Sequence, residues 1–240
     1  MRKLILDVGN TRTKFAVFDG DVLAESGFLK GSAAERPDHI ARMYGPFYST
    51  MLASVTSGEI VTGSELFGNV VRMRSGMKLP VKITYKTPET LGSDRLANVV
   101  GAWKINPERT TLVIDAGTCI KYDLLIAGTE YPGGIISPGI AMRFKSMNRY
   151  TDKLPSLKPE PEIPPLVGQS TEGSMRSGVV NGARAEARGL FEQFNTLYKE
   201  LDIILTGGDA GLFEGMVKSA IFVAPTLTLT GLKVILDHND

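Results

Sequence analysis

Two short stretches of this chain could handle phosphate: Asp7-Val8-Gly9-Asn10-Thr11 near its start and Asp115-Ala116-Gly117-Thr118 in its middle. Each sets a carboxylate, a glycine and a threonine hydroxyl behind a short apolar run, Leu4-Ile5-Leu6 in one case and Leu112-Val113-Ile114 in the other. Glycine lets the backbone approach a ligand with no Cβ in the way. Backbone N–H groups and hydroxyls suit phosphate oxygens, whereas carboxylates suit Mg²⁺ and its waters. A single Asp-x-Gly is also an ordinary strand-to-turn sequence. Its recurrence, with threonine each time, points to a nucleotide held in a cleft between two related halves.

A third stretch, Gly92-Ser93-Asp94-Arg95, falls between a strand-like and a helical segment, where N–H groups at a helix start can hold an anion. Asp94 is the sharpest single candidate for a chemical role, although an acidic residue at a helix start is favourable for capping and dipole reasons alone. Arg95 suits bidentate binding of a substrate carboxylate and equally a surface ion pair. Tyr85 leads into this loop, and either lines a pocket or packs within a half-buried sheet. Lys14 either reaches a terminal phosphate or is solvated. Thr206-Gly207-Gly208 offers bare backbone to an adenine or ribose, or forms a helix-entry turn. Cys119 has no histidine nearby and reads as a small apolar residue.

These candidates need elements to position them. Strand signals cover 3–7, 14–18 and 22–28, with Asp19-Gly20 marking a hairpin, so the chain opens as a β-meander. A short helix at 32–43, a strand at 49–55, loose helical periodicity over 60–73 and a strand at 81–85 follow. Leu96, Val99, Val100 and Trp103 then define an amphipathic helix over 94–105. The second half repeats the plan, with strands at 111–115, 120–125 and near 134–136 and a helix at 139–147. A Pro-rich loop spans 151–165, and a long helix 171–198. The chain closes with strand 203–205, helix 210–216, strand 220–223 and helix 227–236. Threes of strands followed by alternating helices and strands, twice, argue for an α/β fold of two similar lobes sharing a cleft.

Composition narrows the partners. The 240 residues are 42% hydrophobic and 22% charged, which suits a folded globular chain rather than a disordered one. Twenty-seven Lys and Arg against 26 Asp and Glu leave a formal charge of +1, so no general attraction to nucleic acid or to a membrane surface is expected. One cysteine and two histidines, His39 and His238, offer neither an internal disulfide nor a zinc-type ligand set. Asp7 cuts short the apolar run behind Met1-Arg2-Lys3, and no stretch reaches membrane-spanning length, so a cytoplasmic protein is expected.

Taken in order, the motifs resemble those of type III pantothenate kinases, which belong to the sugar-kinase, Hsp70 and actin superfamily. The resemblance runs nearly end to end. It covers Asp7 to Thr11, Tyr85 with Pro88, Gly92 to Asn98, Asp115 to Thr118, Gly133 to Gly139, Lys153-Leu154-Pro155, Ser170-Thr171, Thr206 to Gly208 and Leu227-Thr228-Leu229. It implies two ribonuclease-H-like lobes flanking a nucleotide cleft, residues 1–107 and 108–240, and ATP-dependent phosphorylation of pantothenate to 4′-phosphopantothenate in coenzyme A biosynthesis.

By that resemblance, Asp7, Val8, Gly9, Asn10, Thr11, Arg12, Thr13 and Lys14 form the first phosphate loop, and Thr118 contacts ATP. Asp115 holds a monovalent cation, K⁺ or NH₄⁺, and Mg²⁺ accompanies the ATP. Asp94 is the base. Tyr85, Gly92, Ser93, Asp94 and Arg95 bind pantothenate, joined by Thr171 reaching into the neighbouring subunit of a homodimer. Ser93 stands where the family usually has alanine, and Ser170 where it has asparagine. The alternative from another class is a nucleotide-binding regulatory protein that lacks kinase activity, against which the presence of Asp94 and Tyr85 argues.

Overall fold

The structure, a computed structural model, describes residues 1–9, 13–29, 36–54, 65–217 and 221–240. Its contacts divide the chain into two compact units, one of Met1–Pro107 with Thr226–Asp240 and one of Glu108–Pro225. Residues 226–240, which the sequence places with the second half, thus pack with the first unit.

In the first unit, β1 (Arg2–Val8), β2 (Thr13–Asp19) and β3 (Val22–Leu29) form the expected antiparallel meander. Helix α1 (Arg36–Tyr44) follows, and then β4 (Ser49–Ser54), which adds to β1 in parallel. β5 (Asn69–Arg72) adds to β4, giving the order β3-β2-β1-β4-β5. Leu4, Ile5 and Leu6 are wholly buried, as a central strand covered on both faces requires. The helical periodicity read over 60–73 is overturned where it can be seen. A 3₁₀ turn at Glu65–Phe67 and strand β5 occupy 65–72, and residues 55–64 lie outside the described residues. Gly68 breaks the segment at φ +60°, where a Cβ would lie 2.2 Å from the Tyr48 carbonyl oxygen, and β-branched Val70 and Val71 then extend into the sheet. The two-residue strand β6 (Lys82–Ile83) precedes helix α2 (Ser93–Ile105).

The second unit repeats this order. β7 (Thr111–Ala116), β8 (Cys119–Ile126) and β9 (Glu130–Pro138) form an antiparallel meander, followed by helices α3 (Ile140–Arg149) and α4 (Thr171–Leu197). β10 (Asp202–Thr206) adds to β7 in parallel, and β11 (Ile221–Val223) adds to β10. These five strands take the order β9-β8-β7-β10-β11 within their sheet, the topology of the first sheet again. Leu112, Val113 and Ile114 are wholly buried like their counterparts in β1. The helix read at 210–216 is only a 3₁₀ turn, Ala210–Phe213. Glycines at 211 and 215 within so short a segment cannot sustain an α-helix.

The last helix, α5 (Leu227–Asp237), lies against α2 in the first unit. Two glycines permit the contact. A Cβ on Gly231 would lie 1.7 Å from the Ala97 carbonyl oxygen, and one on Gly101 would lie 2.6 Å from that of Leu227. The buried Thr228 hydroxyl donates to Asn98 Oδ1 at 2.7 Å and fixes the rotation of one helix on the other. Helix α2 is therefore held backbone to backbone one turn beyond its N terminus.

Candidate functional site

In the first unit the carboxylate of the first motif stands near the end of β1. Asp7 faces Lys14 across the β1–β2 ladder and lies beside Ala53 of β4. Val8 and Thr13 are buried, Asp7, Gly9 and Lys14 are half-buried, and Asn10, Thr11 and Arg12 lie outside the described residues.

Gly92 serves as the N-cap of α2 and contributes no capping side chain. Asp94 Oδ1 accepts the backbone N–H of Arg95 at 2.9 Å, so the carboxylate is folded back over the first turn. A Cβ at position 92 would lie 2.6 Å from that oxygen, so a larger residue there would push the carboxylate off the Arg95 N–H. Arg95 is 5% exposed, with its guanidinium carbon 5.7 Å from the centroid of the half-buried Tyr85 ring. The structure thus joins Tyr85 and Arg95, and the burial of Arg95 sets aside the surface position weighed for it.

In the second unit β7 ends in Asp115 and Ala116, and the Gly117 N–H donates to the Cys119 carbonyl at 3.1 Å to close the turn. Thr118 is exposed at its tip. Two further motifs support this turn. The Gly139 N–H donates to the Thr118 carbonyl at 3.2 Å, and a Cβ on Gly139 would lie 2.2 Å from the Gly117 carbonyl oxygen. Gly207, at φ +95°, sits with its would-be Cβ 2.2 Å from the Ala116 carbonyl oxygen, and Thr206 pairs with Asp115 in register. Thr206 is 1% exposed and its hydroxyl finds no hydrogen-bond partner among the described residues. The Thr206-Gly207-Gly208 motif therefore packs directly on the phosphate-type turn.

Asp115 also meets Lys121, a residue outside every motif of the sequence. Lys121 Nζ lies 2.7 Å from Asp115 Oδ2, and the two are direct cross-strand partners in β7–β8. The signal was present in the spacing: a lysine follows Asp7 by seven residues and Asp115 by six, each opposite its carboxylate on the next strand. A second such group braces the junction of β9 and α3. Arg143 donates to Glu186 of α4 at 2.7 Å, to the Ser137 hydroxyl at 2.8 Å and to the Pro138 carbonyl at 2.8 Å, while the Tyr122 hydroxyl donates to Glu186 at 3.1 Å. Burial pushes the Tyr122 phenol far above its ordinary value, with the neighbouring Glu186 charge adding to it.

Thr171 is exposed in the first turn of α4, preceded by Ser170 as the N-cap, whose hydroxyl accepts the Gly173 N–H at 3.0 Å. Serine here keeps the capping role that asparagine would fill equally well. Among the described residues no three His, Cys, Asp or Glu side chains cluster as a metal cage, and no helix is long and apolar enough to cross a membrane.

Two sheets sharing one five-strand topology, each with an aspartate near the end of its central strand, define a class: the α/β fold shared by sugar kinases, Hsp70 and actin. Solved structures agree at the level of the fold. A protein of Campylobacter jejuni assigned to the Baf family of transcriptional activators matches with a TM-score of 0.62 at 19% identity, over 98% of both chains. Component A of the (R)-2-hydroxyglutaryl-CoA dehydratase of Acidaminococcus fermentans matches with a TM-score of 0.54 at 13% identity, over 100% of this chain and 98% of that one. Sequence relatives are far more specific. The chain is 38% identical over 239 residues to a type III pantothenate kinase of Christiangramia forsetii, covering 98% of each. It is 40% identical over 240 residues to one from Phocaeicola vulgatus, covering 99% of this chain and 98% of the relative. The family model for type III pantothenate kinase matches residues 3–193. The chain belongs to the type III pantothenate kinase family.

Proposed function

We propose that this chain transfers the γ-phosphoryl group of ATP to the primary hydroxyl of pantothenate, the first step of coenzyme A biosynthesis, with Asp94 as the base. The observation that carries the reading is the first turn of α2. In a chain of this family, the Asp94 carboxylate is oriented by the Arg95 N–H, and the buried Arg95 guanidinium stacks on Tyr85.

The chemistry follows from those groups. Phosphoryl transfer asks for positioning and charge compensation more than for covalent help from the protein. Arg95, with Gly92, Ser93 and Tyr85, binds pantothenate and holds its hydroxyl near Asp94, and an arginine already desolvated is suited to the acceptor's carboxylate. As the hydroxyl oxygen bonds to the γ-phosphorus, its proton passes to Asp94 and the bond to the β-phosphate oxygen breaks, releasing ADP. Residues 7–14 cradle the phosphates, and Thr118 is a second nucleotide contact. Mg²⁺ entering with ATP would offset phosphate charge. Asp7, which joins no cluster of three such ligands among the described residues, suits an ion that keeps its waters and phosphate ligands rather than one caged by protein. The two lobes are assigned to residues 1–107 with 226–240 and to 108–225, following the packing of α5. A cytoplasmic homodimer, with exposed Thr171 serving the neighbouring subunit's acceptor site, completes the proposal. Asp115 as a seat for K⁺ or NH₄⁺ fits less well, because its carboxylate is already paired with Lys121.

A panel of primary alcohols offered with Mg·ATP in a coupled ADP assay tests this reading. ADP release specific to pantothenate is expected. Release with a sugar instead, or with none of the panel, would replace it by another kinase or by the regulatory alternative.

A further inference from the structure

We propose that Lys121 is an internal cation for the nucleotide turn of the second unit, a positioning residue whose ammonium takes the place of a bound monovalent cation at Asp115. The inference rests on the kinase reading above and deepens it. Lys121 Nζ lies 2.7 Å from Asp115 Oδ2, and the two side chains are only 15% and 14% exposed, so most of the pair is shielded from water and from salt. The pairing is not a chance of rotamers. Asp115 and Lys121 are opposite each other in the β7–β8 ladder, and the turn between them is Gly117-Thr118, so the backbone register fixes the ammonium beside that turn. The first unit repeats the placement, with Lys14 opposite Asp7.

The donor chemistry points the same way. K⁺ and NH₄⁺ seek several oxygen ligands, anionic or carbonyl, and a carboxylate is the strongest that a site of this kind provides. At Asp115 one carboxylate oxygen already meets a like-charged ammonium, which repels a second cation from the same group. A carboxylate lacking any counter-charge beside a triphosphate would in turn repel the nucleotide. Lys121 cancels that repulsion permanently, with no ion to bind. An ordinary cross-strand ion pair would steady the hairpin and nothing more. The internal-cation role differs from it in a measurable way, because it makes the enzyme indifferent to the monovalent salt.

Wild-type, Lys121→Met and Lys121→Arg chains are compared in Mg·ATP and pantothenate with choline chloride or KCl at constant ionic strength, alongside binding of Tl⁺ followed by ²⁰⁵Tl NMR in the absence of substrates. Wild type should show less than about twofold activation by K⁺ and no Tl⁺ binding. Lys121→Met should lose about tenfold or more in kcat/KM in choline and recover in KCl, as expected for a lost and then replaced fixed charge. Lys121→Arg should keep most of the wild-type rate in choline. Tl⁺ bound by the wild type, K⁺ activation of wild type by about tenfold or more, or a Lys121→Met enzyme as active in choline as its parent would each overturn the proposal. Tl⁺ binding is read without turnover, so a chain inert toward pantothenate in every salt would instead indict the kinase reading.

Discussion

Replacing Gly231 by alanine tests whether the contact between α5 and α2 positions the acceptor loop. The new methyl carbon would lie 1.7 Å from the Ala97 carbonyl oxygen, 2.6 Å from its carbon and 2.9 Å from the Gly101 nitrogen. Relieving the first contact to a normal separation moves the helices apart by about 1.5 Å. Two terms oppose each other. Alanine gains about 0.8–1 kcal/mol over glycine in helix propensity, while overpacking of this kind costs about 1–3 kcal/mol and occasionally more. Backbone atoms on both sides cannot swing away as a side-chain tip could, so the upper end applies and a net loss of about 1–2 kcal/mol is expected. At about 2–4 °C per kcal/mol for a chain of this size, Tm should fall by about 2–8 °C. Asp94 and Arg95 lie one turn away on α2, and a displacement near 1 Å at a reacting centre costs about 10²-fold in rate. Differential scanning calorimetry and the coupled ADP assay measure both effects. Gly178 in α4, where a Cβ meets nothing within 4 Å, is the control: Gly178→Ala should hold or raise Tm. A Gly231→Ala enzyme with unchanged or higher Tm and parental kcat would refute the reasoning.

Two further perturbations follow. Arg95→Ala should raise the pantothenate KM more than it lowers kcat, since it removes binding that the ground and transition states share, and steady-state kinetics against both substrates checks this. Glu186 is pushed up by burial, but Arg143, Ser137 and Tyr122 outweigh that and hold its carboxyl below the ordinary value of 4.5. A lowered folded value means the stabilisation is present above the ordinary glutamate range and is lost as pH falls through the folded value. Thermal melts below pH 4.5 should therefore show a shallower acid decline for Glu186→Gln than for wild type, starting from a lower Tm at neutral pH.

The elements that fix the topology were legible because their signals are local. The buried strands Leu4 to Leu6 and Leu112 to Ile114, helix α2 and the long α4 all appear close to their expected bounds, although α2, expected to be amphipathic, is buried on every side from Arg95 to Ala102. The segment at 65–72 was misread because Leu66, Val70 and Val71 mimic helical spacing, and only the parallel edge offered by β4 turns those valines into a strand. The site separated the same way. Gly92 and Asp94 could be named from sequence because a glycine and an acid at a helix start have a local reason. That Arg95 is buried over Tyr85 was not visible, since the strand expected over 81–85 is only Lys82–Ile83 and Tyr85 reaches Arg95 from the irregular segment after it. The Arg143–Glu186 brace was missed because it joins helices distant in sequence, and Lys121 because only the β7–β8 register sets it opposite Asp115. Likewise nothing local tells that 226–240 returns to the first unit; the glycines at 101 and 231 explain it only once α5 is seen against α2.

The central claim is that Asp94 takes the proton of the pantothenate hydroxyl. It is tested most directly by Asp94→Asn, which keeps the size of the side chain and its acceptor for the Arg95 N–H. The account predicts that kcat for ADP release with pantothenate falls by about 10²–10⁴-fold while Tm stays near that of the parent. An Asp94→Asn enzyme turning over at close to the parental rate would contradict it.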